Sequence, residues 1–400
     1  MKAVSRMLLG CMITILVVAC IGGAACGETL PWGVERIRTP CVWDQDEDLA
    51  VDEGANAGDG VRICVIDSGI DYDKYDSVKV YHPDLNGNVL DGRGFRHWYC
   101  SVEERLDYED TNGHGTHVAG TISAVDNTEG VIGAAPKAKL HVAKCYHIVN
   151  GPADSAYREV VSAINWAVNQ GAYIISMSLS FAMNYTELFE ACYNAYYYYG
   201  VLLIASAGSE EESFVRYPAA YDSVIAVGAV FPNLTRADFS NTGPELEFVA
   251  PGFEINSTIL GGEYGTLSGT SMAVPHVTAV AALIYSSKVD PDYDYDMDEE
   301  WDNFEVRDKL QELCLDLGPS GKDEEYGYGF INGWATNQRP LGDVNIDYKV
   351  NILDISIAAK AFGSYPGHPK WDRRADVNID NEVNILDIDI ISSNYGEIDP

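Results

Sequence analysis

The chain of 400 residues is 46% hydrophobic, enough to build a core and too rich for a disordered polymer. Its 61 Asp and Glu against 26 Lys and Arg give a net charge of −35, which excludes nucleic acid and anionic membrane surfaces as partners because both would repel it. This length exceeds one ordinary domain, so a large unit with a smaller companion is expected.

Residues 1–26 read as a signal peptide: Lys2 and Arg6 supply the charged start, Met7 to Val18 the apolar run, and Gly22 to Ala25 the small-residue end. They imply a secreted, extracellular protein. Val17-Val18-Ala19-Cys20 is also similar to a lipobox, so the other reading is a lipid anchor on Cys20 at the cell surface. Six cysteines follow, Cys41, Cys64, Cys100, Cys145, Cys192 and Cys314. An oxidising compartment permits disulfides among them in 15 complete pairings, although Cys64 lies in an apolar run and reads as a buried thiol.

Apolar runs at 61–66, 139–145, 172–179, 201–207 and 223–230 read as strands, and 154–169, 186–199 and 271–288 as helices. That alternation predicts an α/β fold, a mostly parallel sheet with helices on both faces. Nine acidic residues between 289 and 305 repel one another and predict a solvated loop. A helical stretch from Val306 to Leu317 follows, and Gln338 to Gly342 reads as a linker. The expected division is 1–26 signal peptide, 27–338 main domain and 339–400 a small all-α domain.

One unit occurs twice in that last segment. Asp343 to Asp354 returns 33 residues later as Asp376 to Asp387, each copy followed by an apolar helical stretch. Oxygen-bearing side chains fall at loop positions 1, 3, 5, 9 and 12: Asp343, Asn345, Asp347, Asn351 and Asp354, then Asp376, Asn378, Asp380, Asn384 and Asp387. This is the spacing with which an EF-hand-type loop wraps Ca2+. Position 6, which favours Gly, holds Tyr348 and Asn381. Asn tolerates positive φ better, so the first loop is expected to bind calcium less tightly.

Three short motifs carry the chemistry: Val65-Ile66-Asp67-Ser68-Gly69, Asn112-Gly113-His114-Gly115-Thr116-His117-Val118, and Ser268-Gly269-Thr270-Ser271-Met272-Ala273. A serine hydroxyl is a weak nucleophile and needs a base in reach and an acid to orient that base. Ser271 is read as nucleophile, His114 as general base and then acid, and Asp67 as its orienter. Ser271 opens a helix whose N-terminus favours developing negative charge, and Pro275 falls in or near its first turn. His117 and His276 have no partners of their own and read as structural.

The order Asp, His, Ser and these motifs resemble the subtilisin-like serine proteases of the S8 family, over roughly residues 28–338. The resemblance implies a serine endopeptidase acting on protein or peptide substrates. It implies an oxyanion hole in which Ser209 stands where the family has Asn, assisted by the Thr270 hydroxyl and the Ser271 N–H. It implies a calcium site from Glu28, Asp84 and Asn127, completed by carbonyls of Val125, Glu129 and Val131. Ser178-Leu179-Ser180-Phe181 matches the family's substrate-binding strand, with Phe181 either narrowing the cleft or packing as an ordinary core residue. Pro31-Trp32-Gly33-Val34 resembles a mature N-terminus close behind the signal, implying folding without a propeptide in cis. The repeated loops resemble a dockerin, which implies a cohesin-type partner; Ile352-Leu353 and Ile385-Leu386 stand where the family often carries small polar recognition residues, a departure that leaves docking open. Ser209 and the short N-terminus leave a second reading, a catalytically silent peptide-binding scaffold displayed through its dockerin.

Overall fold

The computed structural model describes residues 27–44, 48–75, 78–99, 101–148, 151, 153–334, 342–345, 349–365, 368–378, 380 and 382–396. The signal peptide and lipobox, Cys100, most of the 338–342 linker, and Asp347, Tyr348 and Asn381 of the loops lie outside these residues.

Nine strands form one sheet in the order Gly329–Phe330, Leu246–Pro251, Ile225–Val230, Leu202–Ser206, Ile174–Met177, Arg62–Asp67, Lys139–Cys145, Val89–Trp98 and Ser101–Arg105. All neighbours run parallel except the last pair. The expected strands are present and buried on both faces, as continuous apolar runs require. The helices Ala153–Asn169, Thr186–Tyr197 and Thr270–Tyr285 are also found. The last is buried nearly all round and packs on four strands, so it is a core helix rather than an amphipathic one.

Two expectations need correction. Pro275 lies well inside the Thr270–Tyr285 helix, not in its first turn, so its missing N–H leaves the Ser271 carbonyl without a helical donor. Cys64 is a buried free thiol, as expected, but so are Cys145 and Cys192, with Cys314 a half-buried one, so none of these four forms a disulfide. Most of the acidic stretch is exposed, as expected, while at its ends Asp302 and Glu305 form a capping box on the Asn303–Glu312 helix and Asp290 pairs with Lys309 at 2.9 Å.

A second small core gathers Val344, Val350, Ala358, Ala361, Ala375, Val377, Val383 and Ile391 between the helices Ile352–Ala361 and Ile385–Ser393. It is joined to the large domain through arginines. The Arg38 guanidinium lies 4.0 Å from the Trp334 ring centroid and donates to the carbonyls of Arg373, Arg374 and Val377 at 3.3–3.4 Å. Arg373 Nη2 sits 3.0 Å from the buried Asp44 carboxylate.

Candidate active site and cation sites

The central strand Arg62–Asp67 pairs with Ile174–Met177 on one side and Lys139–Cys145 on the other, so Asp67 ends at the point where strand order reverses. Ligands of open α/β sheets bind in such a crevice. Gly113, in the left-handed region at φ 96°, opens the helix His114–Ser123. That helix can approach the strand end because Gly115 lacks a Cβ, which would lie 2.4 Å from the Gly69 carbonyl oxygen.

This approach brings His114 Nδ1 to 2.8 Å from Asp67 Oδ1, with the carboxylate only 2% exposed. Asp67 Oδ1 also accepts from the Ser68 N–H at 2.6 Å. Burial pulls the imidazole pKa down, yet the charge and hydrogen bond of Asp67, with the charge of Asp110 behind it, outweigh that and hold the group above its ordinary value.

Asp110 is a buried brace that the sequence reading missed. It accepts from Ser68 Oγ, Asn112 N, Thr116 N and Thr116 Oγ1 at 2.7–3.1 Å, locking the acid's loop to the histidine helix. Ser68 Oγ in turn accepts from Gly115 N at 2.9 Å. The Asp-x-Asn-Gly spacing of a turn was the available signal.

Ser271 is the second residue of its helix, which packs against the His114–Ser123 helix. Its Oγ donates to the Ser178 carbonyl at 3.1 Å, and no hydrogen bond joins it to His114 in this state. Catalytic hydrogen bonds are often long or misaligned in free enzymes and tighten on substrate, and a χ1 change re-aims a serine. The two expected oxyanion residues are in contact: Ser209 Oγ accepts from Thr270 N at 3.0 Å and lies 2.9 Å from Thr270 Oγ1. The two hydroxyls share one hydrogen bond, which leaves one of their protons for a substrate oxygen. Phe181 is buried, edge-on to Tyr185 at 6.0 Å, and its backbone bridges to Tyr217, so it is a packing residue.

His117 and His276 are buried. His117 Nε2 donates to Ile255 O at 2.8 Å and His276 Nδ1 to Met272 O at 2.8 Å, while the other nitrogen of each ring has no partner among the described residues.

The sequence-predicted calcium ligands also converge. Asn127 N donates to Glu28 Oε1 at 3.0 Å, Asn127 Nδ2 to Asp84 Oδ1 at 2.8 Å, and Val131 N to Asp84 Oδ2 at 3.0 Å. Burial, opposed by the Asn127 N–H and reinforced by the charges of Asp126 and Asp84, pushes the Glu28 carboxyl up to about 7. Asp84 is fully buried with no cationic side chain among its hydrogen-bond partners, a donor set of hard oxygens that fits Ca2+.

In the second repeat, carboxylate oxygens of Asp376, Asp380 and Asp387 lie within 4.8 Å of one another, and Asn384 Nδ2 donates to Asp380 Oδ2 at 3.1 Å. Asn378 N and Asn384 N both donate to Asp387. In the first, Asn345 N and Asn351 N donate to Asp354 at 2.9 and 2.7 Å, and Asp343 is buried. Asp354 and Asp387 have a further role not foreseen: with Asn351 and Asn384 they form capping boxes that start the two helices. Ile352, Leu353, Ile385 and Leu386 are exposed beside them.

A parallel sheet with an acid at its switch point, an imidazole held by that acid and a serine at a helix N-terminus define a serine-peptidase type of site. The Subtilase family model matches residues 58–329 and the Dockerin type I domain model residues 341–394. Subtilisin E of Bacillus subtilis (strain 168) is 38% identical over 315 residues, covering 78% of this chain and 72% of its own. Subtilisin of Bacillus pumilus is 37% identical over 315 residues, 78% of this chain and all of its own. The thermostable alkaline protease of Halalkalibacterium halodurans is 37% identical over 311 residues, 78% of this chain and 74% of its own. The chain belongs to the subtilase family of serine endopeptidases and carries a dockerin type I domain.

Proposed function

We propose that this chain is an exported endopeptidase in which Ser271 attacks the substrate carbonyl and forms an acyl-enzyme that water then hydrolyses. His114 takes the Ser271 proton and becomes neutral again on delivering it to the leaving amine; it then takes a proton from the incoming water and returns it to the Ser271 oxygen as the acyl group leaves. Asp67 orients the imidazole and stabilises its cationic form. The Ser271 N–H and the spare proton of the Ser209–Thr270 pair face the oxyanion. The observation that carries this reading is the buried 2.8 Å contact of His114 with Asp67.

Glu28, Asp84 and Asn127 would hold one calcium ion, and the two repeats one each; bound calcium supplies stability to the fold rather than chemistry. The domains proposed are 27–338 for the peptidase and 339–400 for the dockerin, behind a signal peptide at 1–26. The dockerin would tether the enzyme to a cohesin-type partner, and protein or peptide chains are its substrates. Among the described residues no helix is long and apolar enough to cross a membrane.

The Ser271–Ser178 hydrogen bond and Ser209 favour one other reading, a silent scaffold that binds peptides uncut. Labelling with a fluorophosphonate separates the two. One label per wild-type chain and none on Ser271→Ala supports the enzyme, and an unlabelled wild type that still binds peptides supports the scaffold.

A further inference from the structure

Beside the nucleophile helix, a cavity of about 510 Å³ opens next to Ser209. Its floor is aromatic: Phe231, Phe239 and Phe253 line it, with Phe231 and Phe253 edge to face at 4.9 Å. Its rim is acidic, formed by Glu210, Glu211 and Asp238, and no Lys or Arg lines it. Glu210 is spent on Arg216, at 2.8 Å. Glu211 and Asp238 are exposed and form no ion pair among the described residues.

The walls are held in place by hydrogen bonds. Asn241 Oδ1 accepts from the N–H groups of Glu210 and Glu212, Glu211 N donates to Phe239 O, and Trp32 Nε1 donates to the carbonyls of Phe253 and Glu254. Ser209, which belongs to the same wall, is bonded to Thr270 immediately before Ser271.

We infer that this cavity is a specificity pocket for a lysine or arginine side chain of the substrate, one of the residues flanking the bond that is cut. The inference rests on the proposed peptidase reading and deepens it by naming a substrate class. A long cationic side chain buries its aliphatic stem on an apolar floor while its head stays at a polar rim. Aromatic faces attract a cation directly, and the two unpaired carboxylates supply the opposite charge. An acidic side chain at this position would meet uncompensated repulsion. A neutral apolar one would gain the floor without the rim. The volume is within the range of pockets that enclose small organic groups.

The test uses the full chain with calcium and peptides that carry Lys, Arg, Leu or Glu in turn at each of three positions on either side of the cut bond. At one position Lys and Arg are expected to exceed Glu at least tenfold in kcat/KM, with the ratio shrinking in high salt. The double variant Glu211→Gln/Asp238→Asn should reduce that ratio to about threefold or less. The variant Glu299→Gln/Glu300→Gln, which removes two charges from the exposed acidic loop, should leave it intact. Thermal unfolding of both variants checks that each is folded. Hydrolysis with no basic preference at any position, or a preference unchanged by Glu211→Gln/Asp238→Asn, overturns the pocket alone. Hydrolysis of none of the peptides overturns the peptidase reading beneath it.

Discussion

Ser178 and Ser271 exchange two hydrogen bonds: Ser178 Oγ donates to the Ser271 carbonyl at 2.7 Å, and Ser271 Oγ donates to the Ser178 carbonyl at 3.1 Å. The first of these replaces a bond that Pro275 cannot make, since the residue four places on in a helix would ordinarily donate to that carbonyl. Ser178 therefore repairs the helix that carries Ser271, the proposed nucleophile. Removing it with Ser178→Ala leaves a part-buried carbonyl without its donor, expected to lower stability by about 1 kcal/mol. It should also lower kcat more than it raises KM, because the nucleophile loses its support. Chemical denaturation and steady-state kinetics measure both, and a Ser178→Thr variant should recover part of the loss.

The pH profile follows from His114. In the proposed mechanism only the neutral imidazole accepts the serine proton, and its pKa is held above the ordinary value near 6.5. The kcat/KM of the wild type should therefore rise with pH along a limb whose midpoint lies above 6.5. In Asp67→Asn the larger charge that raises the pKa is gone while burial remains, so the limb should move to lower pH. Its kcat should fall by about 10⁴, because the imidazole loses the acceptor that fixes its tautomer.

Acid should unfold the peptidase domain early, for reasons separate from catalysis. Burial holds His117 down at about 3 and His276 down at about 4, and each ring already uses one nitrogen as donor while the other faces no acceptor. The unfolded chain protonates near 6.5, above both folded values. The stability these groups contribute is thus present above pH 6.5 and is lost as pH falls from there towards 4 and 3. At pH 5 the loss is roughly 2 kcal/mol per histidine, from about 1.4 kcal/mol per pH unit. Urea midpoints between pH 7 and 5 measure it, and His276→Gln should flatten the slope.

Calcium removal should reveal separate sites. At about 1,000 times Kd a bound ion adds about 4 kcal/mol to the unit that holds it. Chelation is expected to lower the thermal transition of the wild type. Asp84→Ala should abolish the part of that shift belonging to the peptidase core, and Asp387→Ala the part belonging to the small domain. Calorimetric scans with and without chelator distinguish them, and single-loop variants tested by calcium titration should show the first loop binding more weakly.

The central sheet was legible because Ile63 to Ile66 and Leu202 to Ala205 are unbroken apolar runs and Leu140 to Ala143 is broken only by His141. Val89–Trp98 was not, since Gly92, Gly94, Arg93 and Arg96 interrupt it where only part of the strand is buried near the sheet edge. Leu246–Pro251 was hidden by its terminal proline, which sits where the ladder ends. The proposed acid, base and nucleophile stand in local motifs because each would need small neighbours for close approach. Asp110 and Ser178 act through long-range contacts to Ser68 and Ser271, and Arg38 and Arg373 through contacts between domains. No local pattern encodes such pairings. The same holds for the acid-rimmed pocket, whose walls come from three separate stretches of chain.

The most direct test of the account is a rapid-quench experiment with an activated ester substrate, followed by peptide mapping of the acid-trapped protein. A burst of about one acyl group per chain, carried on Ser271 and absent from Ser271→Ala, is predicted. Turnover without a burst in which acyl protein never accumulates even at low pH, or an acyl group carried on another residue, would contradict it.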